Sequence, residues 1–276
     1  MAHPFALSTG VWDPSHRFET SWILPPYVLG GIRLLIGLYA ITVLFFNIGY
    51  QCAHPELGGC TESAKSFSFF TVLTYWGLAF YFLFAAAHTL SYARTNSALL
   101  DRWPRILKAL HSLYYTTVVT YPVLVTVVFW GILYPPLYGQ TGFTSTYGLW
   151  GNVSQHALNS AFLLFELIFT RTAPPPWIHL LWLILILALY LGLAYLTAAT
   201  KGFYVYPFLD PTKQHAFVAA YVFGIAVAII VIFVLVWALI KFRNWVTERK
   251  LGMDGKFAGG RSAHTEKTVS PVHSSA

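Results

Sequence analysis

Charge is what this chain has least of. Asp, Glu, Lys and Arg make up 10% of its 276 residues, whereas 57% are hydrophobic. That balance excludes a soluble domain, and it excludes disorder over roughly the first 240 residues. Cysteine is confined to Cys52 and Cys60, so one intrachain bridge is the most the chain can form. A cleavable signal is also missing. The first apolar stretch begins near Tyr27, is too long for a signal and has no small-residue cleavage site. It is expected to stay in the membrane as a start-transfer helix. No internal repeat or pair of broken apolar segments is present, which argues against a transporter built from repeats.

What the chain does have is six long apolar runs: Tyr27–Tyr50, Phe67–Tyr92, Leu110–Tyr134, Asn152–Phe169, Trp177–Ala199 and Ala216–Ile240. A bilayer core of about 30 Å takes about 20 apolar residues in a helix. Five runs meet that length, and Asn152–Phe169 is marginal. Backbone polar groups cannot stay unpaired in lipid, so each run should be helical. The expected fold class is all-α, a polytopic membrane bundle of six transmembrane helices. Residues 1–26 form a lead, 27–240 the transmembrane domain, and 241–276 a basic, largely disordered tail.

The formal net charge of +7 could suggest nucleic acid, but its placement argues otherwise. Of the 17 Lys and Arg residues, 13 fall on one side of the predicted membrane, in the N-terminus, the second and fourth loops and the C-terminus. Only Lys65, Lys201 and Lys213 fall on the other side, and Arg33 lies inside the first span. The positive-inside rule then puts both termini in the cytosol. The basic segments read as orientation signals touching anionic membrane lipids, with no nucleic-acid partner. The expected location is the endoplasmic reticulum, another endomembrane or the plasma membrane. Cys52 and Cys60 lie in the first loop, on the lumenal side of this topology, where a disulfide can form. Two free thiols are the alternative.

Polar residues at membrane depth are costly, so the few present are the natural site candidates. Arg33 is expected to snorkel toward the cytosolic interface. Glu166 is expected to pair with Arg33 or Arg171 or to be protonated, and a structural ion pair and a functional acid are both open to it. His88, His111 and His179 lie near the cytosolic edge, where solvation or ordinary hydrogen bonding is expected. His156 differs, because it lies about four residues into the fourth span from the lumenal side. Asn152, His156, Asn159 and Glu166 share one helical face, which should point into the bundle. Hydrogen bonding between helices is the structural use of such a stripe. Thr71 lies at similar depth in the second span, with Ser68 and Thr74 at steps of three. A membrane-helix threonine usually bonds its own backbone four residues back. A hydroxyl and an imidazole at one depth are also the parts of a nucleophile–base pair. Asn152-Val-Ser154 fits the N-glycosylation pattern, but at the mouth of the helix it should stay unmodified.

Four patches extend this reading: Ser66-Phe-Ser-Phe-Phe-Thr71; Tyr121-Pro-Val with Val127-Val-Phe-Trp130; Trp150-Gly-Asn-Val-Ser-Gln-His156; and Tyr204-Val-Tyr-Pro-Phe-Leu209. In type and order they resemble the androgen-inducible family of polytopic membrane proteins, over about residues 66–240. Animal members of that family are threonine hydrolases of fatty acid esters of hydroxy fatty acids. The resemblance implies Thr71 as nucleophile, His156 as catalytic base, a lipid ester substrate and no cofactor. The longer N-terminal lead, the Cys-bearing first loop and the basic tail depart from the family pattern. A non-catalytic or haem-binding six-helix protein is the alternative, with His88 and His111 as one axial pair and His156 with His215 as another. Asp210 and Asn152 are candidates, by position only, for a third group that orients the base.

Overall fold

Prolines and left-handed residues cut the apolar runs into helices. In the computed structural model, which describes residue 13 and residues 15–253, α1 covers Pro26–Ala53. Pro26 stands at its first position, where a missing N–H breaks no helical bond. The short α2, Gly59–Ser66, follows a loop closed by the Cys52–Cys60 disulfide. α3 runs over Phe70–Thr95 and stops at Asn96, which is left-handed at φ 55°. α4, Arg105–Val128, passes through a π-helical turn, Phe129–Leu133, into α5, Tyr134–Tyr138. α6, Thr146–Val153, is joined to α7, Asn159–Phe169, by a second π turn, Ser154–Leu158. Pro174, Pro175 and Pro176 keep the next connection extended before α8, Ile178–Lys201. α9 is one turn, Pro211–Gln214, and α10 is Phe217–Asn244. Among the described residues the only β contact is an isolated bridge between Ser21 and Thr170.

Among the described residues, five helices are long and apolar enough to cross a membrane: Pro26–Ala53, Phe70–Thr95, Arg105–Tyr138, Ile178–Lys201 and Phe217–Lys250. The sixth element of the bundle is the α6–π–α7 segment. It begins at Thr146 rather than Asn152, and a π turn divides it into helices of 8 and 11 residues. The last helix also outruns its predicted end, continuing as a π turn over Trp245–Lys250. The tail beyond Met253 lies outside the described residues.

α1 and α3 pack closely because α1 presents two glycines to α3. A Cβ at Gly37 would fall 2.8 Å from Leu83 Cδ2 and 3.0 Å from the Leu83 backbone nitrogen. One at Gly30 would fall 2.7 Å from Leu90 Cδ2. Small residues at such contacts are the usual means by which membrane helices approach. α4 and α7 are joined instead by polar groups. Thr126 Oγ1 donates to Asn159 Oδ1 at 3.1 Å, and the Pro122 carbonyl accepts from Asn159 Nδ2 at 3.3 Å and Ser160 Oγ at 3.2 Å.

The bundle has two ends. The disulfide and the start of α3 lie at one, and the first and last described residues lie at the other. At the second end the structure departs from the snorkelling expected of Arg33. That side chain is fully buried. Its guanidinium pairs with both oxygens of Glu166, and it donates to Phe18 O at 2.8 Å and Thr89 Oγ1 at 2.5 Å. Tyr81 donates to the same carboxylate at 2.9 Å. The reason is that residues 15–25 fold back over the helix ends and close the path to water. Arg17 binds both Glu248 oxygens, at 2.6 and 2.8 Å, and Arg243 donates to the carbonyls of Leu167 and Thr172. Phe18 of this cover packs on His111, Trp103 packs on His88, and both histidines are buried, while His179 is bound through Nδ1 to Thr116 Oγ1 at 2.7 Å.

Candidate active site

Thr71 is the second residue of α3, and that position decides what its hydroxyl can do. Threonines within these helices return their hydroxyls to the carbonyl four residues back: Thr42, Thr74, Thr116, Thr120 and Thr197 all do so. For Thr71 the residue four back is Phe67, which lies outside the helix. The start of α3 is completed instead by two phenols from distant segments. The Phe70 N–H donates to Tyr206 Oη at 3.0 Å and to Tyr190 Oη at 3.1 Å. Tyr190 Oη in turn donates to Ser68 O at 3.0 Å. The Tyr206 hydroxyl also meets the hydroxyl and backbone of Thr71. Burial holds this phenol above its ordinary range, partly offset by those hydrogen bonds, so it is neutral and able to donate.

His156 comes from the π turn Ser154–Leu158. Its Nδ1 lies 3.0 Å from the Asn152 carbonyl oxygen. A carbonyl only accepts, so Nδ1 carries the proton and Nε2 is left with its lone pair. The ring is stacked on Phe129, with centroids 3.6 Å apart and planes 14° from parallel. Trp130 Nε1 donates to the His156 carbonyl at 2.9 Å. Phe129 and Trp130 open the other π turn, so two such turns meet across the imidazole. Single-turn π insertions are frequent at functional sites.

Thr71 and His156 line one cavity of about 220 Å³, together with Phe129, Asn152, Gln155 and Tyr206. Residues from all four sequence patches therefore converge on one space. A second cavity, of about 260 Å³, meets the first at Thr71 and Tyr206 and runs between α4, α8 and α10. Thr74 is not part of this site. Its hydroxyl is bonded to Phe70 O at 2.9 Å, and it faces a different groove, beside Gly77 and Thr117.

The other site candidates separate clearly. Asn152 contributes its backbone carbonyl to His156, while its side chain donates to Gly148 O at 2.8 Å. Asp210 caps α9 by accepting from Thr212 N at 3.0 Å and Thr212 Oγ1 at 2.7 Å, which also holds its carboxyl below the ordinary range. Asn159 and Glu166 share the inward stripe but serve the α4 contact and the Arg33 pair. The rings of His88 and His111 are 5.7 Å apart, with Trp103 packed on the first and Phe18 on the second. His215 ends α9 and is absent from the cavity that His156 lines. Neither histidine pair proposed for haem faces across an open slot.

Tyr190, Phe129 and the two π turns were not singled out from sequence. Tyr206 lay inside a recognised patch, but nothing marked it among neighbouring aromatics. Tyr190 had no signal at all, since an aromatic residue in an apolar span is unremarkable.

The family model described as FAR-17a/AIG1-like protein matches residues 32–240. The chain belongs to this family. The matched span takes in Arg33, the residues lining the Thr71–His156 cavity and the bundle from within α1 to Ile240 of α10. No curated protein and no solved structure matches the chain. The FAR-17a/AIG1-like assignment therefore stands on the family match, and the chemistry of the cavity has to be argued from its own geometry.

Proposed function

We propose that the chain is a membrane-embedded lipid ester hydrolase, with Thr71 as nucleophile and His156 as base. The observation that carries this reading is the shared cavity. It holds a threonine hydroxyl not returned to its own helix and an imidazole whose Nδ1 is already committed to a carbonyl. The remaining nitrogen, Nε2, is the one able to take a proton.

The reaction would run in two balanced halves. Thr71 Oγ attacks the ester carbonyl carbon and its proton passes to His156 Nε2. The carbon–oxygen bond to the alcohol breaks, and the same proton leaves with the alcohol. Water then adds to the acyl-threonine, giving its proton to His156. The threonine oxygen departs and recovers that proton, releasing the fatty acid. The Asn152 carbonyl fixes the imidazole tautomer, and Phe129 fixes the plane of the ring. Tyr190 and Tyr206 position Thr71 by holding the first turn of α3. In the topology set by the basic residues, this end of the bundle faces the lumen. The substrate class suggested by the resemblance is fatty acid esters of hydroxy fatty acids.

The test is hydrolysis of such an ester by purified protein in lipid nanodiscs. Thr71→Ala and His156→Ala should each lower turnover by about a hundredfold or more, while Thr74→Ala retains most activity. Full activity in Thr71→Ala would overturn the mechanism.

A further inference from the structure

Thr71 stands between two cavities of different character, and the hydrolytic chemistry assigns a different half of the ester to each. The base that deprotonates Thr71 must return the proton to the departing alcohol, so the alcohol half belongs on the His156 side. The acyl chain must then extend from the other side of Thr71. There the second cavity begins, and Thr71, Tyr190 and Tyr206 are its only hydroxyl-bearing linings. All three are tied to the first turn of α3, so the polar groups sit together at the reacting end. From there the cavity follows the π turn and the end of α4 from Leu133 back to Leu124. At 1.5 Å per residue that is about 13 Å, running parallel to the helices and so to the lipid chains.

We infer that this cavity is the acyl-chain site, and that a long unbranched fatty acyl chain enters it sideways from the bilayer between α8 and α10. This rests on the hydrolase reading for the identity of the ligand. The case for lateral entry comes from the walls. Ala188 on α8 and Ala226 on α10 are small, and Ala188 and Phe223 line the cavity while exposed on the outer face of the bundle. Phe223 is 71% exposed. An apolar channel that is open to lipid and ends at a hydroxyl cluster suits a chain that never leaves hydrocarbon while its ester reaches polar ground.

Two measurements on the full chain in phosphatidylcholine nanodiscs test this. The first uses hexadecanoic acid carrying a mid-chain diazirine. Photolabelling should saturate, be displaced by unlabelled hexadecanoic acid, and map to peptides containing Ala188 and Phe223, equally in wild type and Thr71→Ala. The second compares hexadecanoyl with butanoyl p-nitrophenyl ester. Ala226→Trp and Ala188→Trp should each lower the long-to-short turnover ratio by about tenfold or more. Leu239→Trp, on an exposed part of α10 away from the cavity, should leave the ratio unchanged. Labelling that never saturates, or that maps only around His156, overturns the assignment, as does an unchanged ratio in both tryptophan variants. Saturable labelling at Ala188 and Phe223, with no ester hydrolysed by wild type, keeps the fatty-chain site and removes the hydrolase reading.

Discussion

At the scale of single residues, the site depends on where ordinary side chains sit relative to helix starts and π turns. Thr71 is distinguished from Thr74 because it lies before the point at which a helix offers its hydroxyl a carbonyl. In the proposed mechanism Tyr206 stands behind Thr71 as a positioning residue. Tyr206→Phe removes one acceptor of the Phe70 N–H and the hydroxyl facing Thr71. It should lower kcat by about tenfold with little change in KM, the pattern of a lost transition-state alignment. A pure loss of folding would lower active-site titre instead, so the measurement pairs steady-state kinetics with active-site titration. Depth, topology and the family patches single out Thr71 and His156 in the sequence as the proposed pair, and the structure puts both on one cavity. The phenols are not singled out, since their role comes from a helix start on another segment.

At the scale of elements, two kinds of contact bind the bundle. Gly37 meets the Leu83 backbone, which cannot turn aside, whereas Gly31 on the same helix has open space around it. Gly37→Ala should therefore destabilise by about 1–3 kcal/mol through overpacking. Gly31→Ala should be neutral or stabilise by up to about 1 kcal/mol, the helix-propensity difference. Thermal unfolding in detergent separates the two. The Arg33–Glu166 pair behaves differently. Arg33→Met leaves a buried carboxylate without its cation and should cost about 3–5 kcal/mol, with much of it recovered when Glu166→Gln is added. The sequence named Glu166 as a partner of Arg33 but expected Arg33 to reach water. What it could not show was residues 15–25 folding over the helix ends, because no periodic pattern marks that segment. The sequence also starts the fourth span at Asn152, because Thr146, Tyr147, Gly148, Gly151 and Asn152 leave α6 without an apolar run of its own.

At the scale of the whole molecule, the cover over the terminal end carries a titratable group. Glu19 is 1% exposed, and burial raises its carboxyl from an ordinary 4.5 to about 8. Asp13 and Asp101 add to this rise, and Arg33 opposes it. The folded protein thus keeps Glu19 protonated where the unfolded chain has lost the proton. Stability is highest below about pH 4.5 for this group and declines as pH rises toward about 8. Glu19→Gln should remove that decline, read as slower protease cleavage near Arg17 at pH 8 than in wild type. The charge placement across the chain makes a separate prediction. In sealed microsomes both ends should be open to added protease, and a protected C-terminus would reverse the side from which the Thr71 cavity is reached.

The most direct test of the central claim is the site of covalent modification by an alkyl fluorophosphonate, mapped by peptide mass spectrometry on protein in nanodiscs. The reagent reacts with hydroxyls activated by a base, and Thr71 carries the aliphatic hydroxyl that shares a cavity with His156, beside the phenols of Tyr138 and Tyr206. The expected result is a single adduct on Thr71, absent in Thr71→Ala and strongly reduced in His156→Ala. An adduct on another residue, or equal labelling of Thr71 with and without His156, would contradict the nucleophile–base pair.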